Sequence, residues 1–223
     1  MSVGEPFSDA EPGAPPVRGV LHRAAAAEGT IVLAHGAGSS AEAPLLVALA
    51  SALAAAGITA LRCDLPFRQA RRTGPPGRGD AAVDRAGLRR AVGVLGRTAQ
   101  GRILLGGHSY GGRQASMLAS EDASVASALL LLSYPLHPPQ RPDQPRTAHF
   151  PSLSTPALFV HGTRDPFGTI EEVESARAHI PARTALLAVD GAGHDLFHVR
   201  RPGARGAELV ARIVRELIDF ARG

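Results

Sequence analysis

Three separated stretches of this chain carry residue types and spacings suited to acyl-transfer chemistry. In Gly107-His108-Ser109-Tyr110-Gly111 a serine stands between two glycines, each two positions away. The apolar run Ile103 to Leu105 before it reads as a buried strand, and the residues from Gly112 onward can be helical. At such a junction the serine sits on a strained turn that lifts its hydroxyl clear of the sheet, and glycines let the backbone turn that tightly. The helix N-terminus behind it offers partial positive charge and unpaired N–H groups, which suit an oxyanion. A serine hydroxyl is a poor nucleophile at neutral pH, so it needs a base and a carboxylate that holds the base in the right tautomer. Asp165, closing His161-Gly162-Thr163-Arg164-Asp165, and His194, closing Gly191-Ala192-Gly193-His194, follow in the order nucleophile, acid, histidine.

Each of these residues also has a plainer reading. Asp165 suits a turn before Pro166, and His194 a loop between glycine and Asp195. His194 and His198, four apart around Asp195, have the spacing of a metal pair, but no cysteine or further ligand pair matches them, and no metal is expected. A tetrahedral intermediate needs two fixed N–H donors. One falls to Tyr110, directly after the serine. The other falls to Ala37 in His35-Gly36-Ala37-Gly38, where flanking glycines let the backbone bend and His35 holds the loop.

The elements that must position these residues can be read in order. Val17 to Arg23 is expected as an edge strand and Thr30 to Ala34 as the first central one. A helix follows from Pro44 to Ala56, with proline suited to its first turn, then a strand over Ile58 to Arg62. The stretch from Pro66 to Gly79 is expected to be irregular, with Asp80 as N-cap of a helix reaching about Thr98, on which Leu88, Ala91, Val92 and Leu95 share a face. Ala128 to Leu132 and Ala157 to Val160 read as strands buried on both faces. Thr169-Ile170-Glu171-Glu172 has capping-box spacing for a helix that Pro181 ends. Ala185 to Val189 is the last strand. The final helix, about Ala204 to Ala221, places Leu209, Ile213, Leu217 and Phe220 on one stripe. Strands alternating with helices predict an α/β fold, a mostly parallel doubly wound sheet flanked by helices. In such sheets ligands bind beyond the C-terminal strand ends, where Ser109, Asp165 and His194 all lie. The proline-rich segment Tyr134 to Pro156 is too short and broken for a large cap domain.

Composition narrows the classes. The 223 residues suit one domain, taken as Val17 to Gly223, preceded by a flexible arm over Met1 to Pro16. The net charge is +4, yet all 24 basic residues are arginine and they are spread along the chain, which argues against nucleic acid as a partner. Aromatics are 4% and tryptophan is absent, so no base-stacking platform is expected. Arg68, Arg71, Arg72 and Arg78 cluster in the Pro66 to Gly79 loop, as a solvated loop or as a rim that steers anions. Cys63 alone cannot form an intrachain disulfide, and Met1 to Pro16 lacks a secretory pattern, so a reducing, cytoplasmic location is expected. Ala43 to Leu61 is uncharged, but its alanines, Pro44 and Gly57 fit helix, cap and strand better than a membrane span.

The ordered set of His-Gly-Ala-Gly, Gly-His-Ser-Tyr-Gly-Gly-Arg, His-Gly-Thr-Arg-Asp and Gly-Ala-Gly-His resembles the α/β-hydrolases, specifically the small, capless, dienelactone-hydrolase-like group. The resemblance runs from about Val17 to the C-terminus. It implies a Ser-His-Asp hydrolase of esters, thioesters or amides without a cofactor; a small-molecule substrate with a small or medium acyl group is expected. Dienelactone hydrolases have cysteine where this chain has Ser109, so their substrate does not carry over. The chain is also similar to a branch with testis-expressed and chromatin-associated hydrolase-like proteins, which implies the alternative of an interaction module without catalysis. Carboxylester hydrolysis is the favoured expectation, because a scaffold has no need of a strained serine beside a histidine and an aspartate. Arg113 fits either an acidic substrate or a structural contact to a loop carbonyl. Neither substrate nor oligomeric state can be read.

Overall fold

The computed structural model describes residues 4–99, 101–197 and 203–223. Among the described residues, eight strands form one sheet in the order β1-β2-β4-β3-β5-β6-β7-β8. They are β1 (Glu5–Asp9), β2 (Val17–His22), β3 (Gly29–Ala34), β4 (Ile58–Cys63), β5 (Arg102–His108), β6 (Ala128–Leu132), β7 (Ala157–Gly162) and β8 (Thr184–Val189). The first two pairings, β1 with β2 and β2 with β4, are antiparallel, and the rest are parallel. The helices are α1 (Pro44–Ala55), α2 (Pro66–Ala70), α3 (Asp80–Gly96), α4 (Tyr110–Glu121), α5 (Ile170–Arg177) and α6 (Ala204–Arg222).

Successive strand residues point to opposite faces, so the central strands supply two cores at once. Val32, Leu105, Leu131 and Phe159 pack with Leu88 of α3, Leu118 of α4 and Val173 of α5. Ile31, Leu33, Leu130 and Val160 pack on the other face with Leu46 and Leu49 of α1 and Ile213 and Leu217 of α6. The expected α6 stripe is present, although Leu209 at its start is only partly buried. Pro44 opens α1, and Thr169 with Glu172 forms both halves of the capping box on α5. Among the described residues no helix is long and apolar enough to cross a membrane, and no large cap domain covers the sheet.

Three expectations are corrected. Residues 5–9 of the expected loose arm form β1, so Val17–His22 is the second strand and not the edge. Arg90 of α3 pairs with Asp9, Arg23 pairs with Glu5 at 2.6 Å, and Phe7 packs against the core, which together hold the arm on the sheet. The stretch after Pro66 is not wholly irregular, because Pro66 starts α2 and Phe67 anchors it in the core. Asp80 is the first residue of α3 and not its cap. Gly79, at φ 93°, takes the cap position, and the Asp80 carboxylate accepts the Gly77 N–H at 2.7 Å.

Candidate active site

The turn after β5 is built by close approach. A side chain at Gly107 would meet the Ala34 carbonyl oxygen at 2.5 Å, and one at Gly111 would meet the same oxygen at 2.6 Å, so β3 can lie against the turn only because both are glycine. Ser109 adopts φ 51° and ψ −116°, a strained conformation for a residue with a side chain. Its N–H donates to Leu132 O of β6 at 2.8 Å and its carbonyl accepts Arg113 N–H at 3.0 Å, which pin the turn between sheet and α4.

The structure brings together all three side chains singled out in the sequence. Ser109 Oγ lies 2.8 Å from His194 Nε2, and His194 Nδ1 lies 2.8 and 3.0 Å from the two Asp165 oxygens. With the proton on Nδ1 facing the carboxylate, the Nε2 lone pair faces the serine hydroxyl. Asp165 also fills its turn role, since Oδ1 accepts Phe167 N–H at 2.9 Å. Phe167 packs on the His194 ring, 4.1 Å between centroids with the planes tilted by 31°. The loops carrying acid and base are tied by Arg164 N–H to Ala192 O at 2.9 Å and Gly191 N–H to Thr163 Oγ1 at 2.8 Å.

Two further histidines lie beside them. His108, beside the serine, donates from Nε2 to the His194 carbonyl at 2.8 Å, and burial pushes its pKa below the usual imidazole value. His161 is fully buried, donates to Gly168 O at 2.8 Å, and is likewise lowered by burial. The metal reading of His194 with His198 lies partly outside the described residues, because His198 is not among them.

Ala37 follows β3 and Tyr110 opens α4, so both flank Ser109 at the C-terminal end of the sheet. His35, fully buried, accepts Leu65 N–H on Nε2 at 3.1 Å and donates from Nδ1 to Gly36 O at 2.8 Å. That carbonyl belongs to the same peptide as the Ala37 N–H. Arg68, expected in a solvated or steering cluster, is instead buried at 8% exposure. Its guanidinium donates to Ser39 O at 2.8 Å, Ala37 O at 2.9 Å, Gly74 O at 3.0 Å and Arg71 O at 3.3 Å. Arg71, Arg72 and Arg78 are exposed. Arg113 is partly buried, with its Nε unpartnered among the described residues.

Sequence reasoning missed Asp84 and Phe167, and it named Arg68 and His108 without the contacts they make here. Asp84 left a signal: it falls on the apolar stripe of α3, four residues before Leu88. Its fully buried carboxylate accepts Tyr110 O–H at 2.7 Å and Phe67 N–H at 3.0 Å, and burial pushes its pKa above the carboxylate range. Cys63 is buried and its thiol is pushed up to about 12 by burial, so it is not a nucleophile at neutral pH. A cleft of about 580 Å³, lined by Leu21, Thr30, Thr59 and Val94 among others, lies at the opposite strand ends, away from Ser109.

Residues 27–222 match the family model described as an alpha/beta hydrolase domain. Similar solved structures include a dienelactone hydrolase from Anabaena variabilis (23% identity, 96% of each chain, TM-score 0.75). An alpha-beta serine hydrolase homologue from Coxiella burnetii aligns at 21% identity over 97% of this chain and 98% of that one, TM-score 0.75. A lidless a/b serine hydrolase from Xanthomonas campestris aligns at 16% identity over 97% and 96%, TM-score 0.70. These likenesses agree with the strand order and the uncapped sheet described above. With nearly the whole chain matched, this protein belongs to the alpha/beta hydrolase family and is dienelactone-hydrolase-like in fold.

Proposed function

We propose that the chain is a serine hydrolase of the carboxylesterase type, cleaving small or medium acyl esters or thioesters through an acyl-enzyme. The observation that carries this reading is the unbroken hydrogen-bond line Ser109 Oγ to His194 Nε2 to Asp165, on a strained serine at a helix N-terminus. Ser109 Oγ attacks the acyl carbonyl while His194 Nε2 takes its proton. Asp165 holds the imidazole and stabilises the imidazolium that forms. The N–H groups of Ala37 and Tyr110 receive the oxyanion. His194 then gives its proton to the leaving alcohol or thiol. Water, deprotonated by the same imidazole, attacks the acyl-enzyme and frees the acid and Ser109. Nothing beyond the acyl substrate and water is consumed.

The test is labelling of the folded protein with a fluorophosphonate, beside hydrolysis of a p-nitrophenyl ester series from acetate to octanoate. Labelling that disappears in Ser109→Ala and in His194→Ala is the expected result, and the preferred chain length then measures the acyl pocket. Folded wild-type protein that neither labels nor hydrolyses any ester would overturn the reading in favour of a binding module.

A further inference from the structure

Asp84 is a buried carboxylate that forms no ion pair among the described residues. Arg71, whose field reaches it, is paired with Asp80 instead. Its neighbours on the inner stripe of α3, Leu88, Ala91 and Leu95, are apolar, so a leucine at this position would suit helix packing. Burying an unpaired carboxylate is costly unless its hydrogen bonds are good. Both of its recorded hydrogen bonds lead to the oxyanion side of the site: Tyr110 O–H at 2.7 Å and Phe67 N–H at 3.0 Å.

We propose that Asp84 is a positioning residue for the oxyanion hole, holding the Tyr110 peptide through the tyrosine side chain and the Ala37 loop through α2. This inference rests on the serine-hydrolase reading. The Tyr110 N–H belongs to the peptide that follows Ser109, whose backbone is strained and tends to relax unless its surroundings hold it. Helix α4 holds that peptide on one side. The tyrosine side chain holds it on the other, hydrogen-bonded to Asp84 and packed edge-to-face on Phe67 at 5.7 Å between centroids. The second Asp84 oxygen fixes the Phe67 backbone. On one side of Phe67 stands Arg68, which grips the Ala37 and Ser39 carbonyls. Two residues before it stands Leu65, whose N–H fixes His35. One carboxylate thus braces the backbone that carries each donor, 47 residues upstream and 26 downstream in the chain.

Four proteins test this: wild type, Tyr110→Phe, Asp84→Asn and the double variant. The readouts are kcat and KM on p-nitrophenyl butyrate, inhibition by a phenylboronic acid that mimics the tetrahedral intermediate, and melting temperature. Tyr110→Phe removes a single oxygen and leaves the backbone N–H in place. Each single substitution is expected to lower kcat about tenfold with KM changed less than about twofold, and to weaken boronate inhibition in step. The double variant is expected to fall no further than the weaker single one, because both substitutions cut the same link. Wild-type kcat in Tyr110→Phe, or losses that multiply in the double variant, would overturn the proposal. So would a lower melting temperature with kcat intact, which is what a purely structural carboxylate predicts. If Asp84→Asn does not fold, kcat and boronate inhibition of Tyr110→Phe decide alone. An unlabelled, inactive wild type sinks the hydrolase reading and this inference with it, whereas an active wild type with unaffected variants sinks this inference only.

Discussion

On the His194 side of Ser109, the imidazole from the loop after β8 reaches the hydroxyl directly and the carboxylate from the loop after β7 reaches the imidazole, each link a hydrogen bond between named functional groups. On the other side the groups assigned to the oxyanion are backbone N–H donors. What holds them is a brace of buried polar side chains: His35, Arg68 and Asp84. Under the proposed hydrolase reading, removing Ser109, Asp165 or His194 removes a reagent. Removing a brace leaves the donor in the chain but loosens where it points. The two halves should therefore fail differently, the first in chemistry alone and the second in chemistry and stability together.

The largest effect is expected on the triad side. Ser109→Ala or His194→Ala should lower kcat on p-nitrophenyl esters by on the order of 10⁴-fold or more, with an unchanged melting temperature. Asp165→Asn should cost up to about 10⁴-fold, because the amide favours the wrong imidazole tautomer. A loss of only a few-fold would break the comparison, by showing that the carboxylate serves its turn more than the base.

Next comes Arg68→Ala. It leaves four loop carbonyls short of a donor, and about 2–3 kcal/mol of stability and a ten- to hundredfold loss in kcat are expected, measured by urea unfolding and steady-state kinetics. Arg68→Lys should recover little, since one ammonium cannot span a forked set of acceptors. Activity at wild-type level in Arg68→Ala would mean the Ala37 loop stands without its brace.

A smaller effect concerns pH. His149, partly buried and near Arg113 and Arg85, has its pKa lowered to about 4 by burial and by those charges. The unfolded chain then binds more protons than the folded one between roughly pH 6.5 and 4, so stability is complete above that window and is lost as the pH falls through it. His149→Gln should lose less stability than wild type on acidification across this window. The difference is expected on the order of 1 kcal/mol, reduced by the partial exposure of the ring. Equal losses of unfolding free energy in the two proteins between pH 6.5 and 4.5, measured by urea unfolding, would refute it. The smallest effect is expected from Arg71→Gln, which breaks an exposed pair with Asp80 and should leave urea unfolding and kcat at the wild-type level. The contrast with Arg68, three residues earlier, sharpens the division between brace and surface.

What was legible in the sequence follows the same division. The meeting of Ser109, Asp165 and His194 could be read because each follows a strand whose apolar run is plain, and because few residue types can serve in the roles proposed for them. The parallel sheet was legible for the same reason, since Ala128 to Leu132 has no other comfortable place than the middle of one. Arg68 was misread because its neighbours are proline, glycine and further arginines, and local composition cannot say which guanidinium turns inward. The arm was misread because Glu5–Asp9 shows its strand character only through its partners, Val17–His22 and Arg90.

By itself, then, the sequence determined the layered sheet, the strained serine and the order in which Ser109, Asp165 and His194 leave the strands, because periodicity, glycine placement and residue chemistry act over a few neighbouring positions. Tertiary structure alone decided that Arg68 is a brace and that Asp84 meets Tyr110. These depend on which groups end up buried together across 31 and 26 residues of chain, where an unmet carbonyl or carboxylate is costly only once water has been excluded.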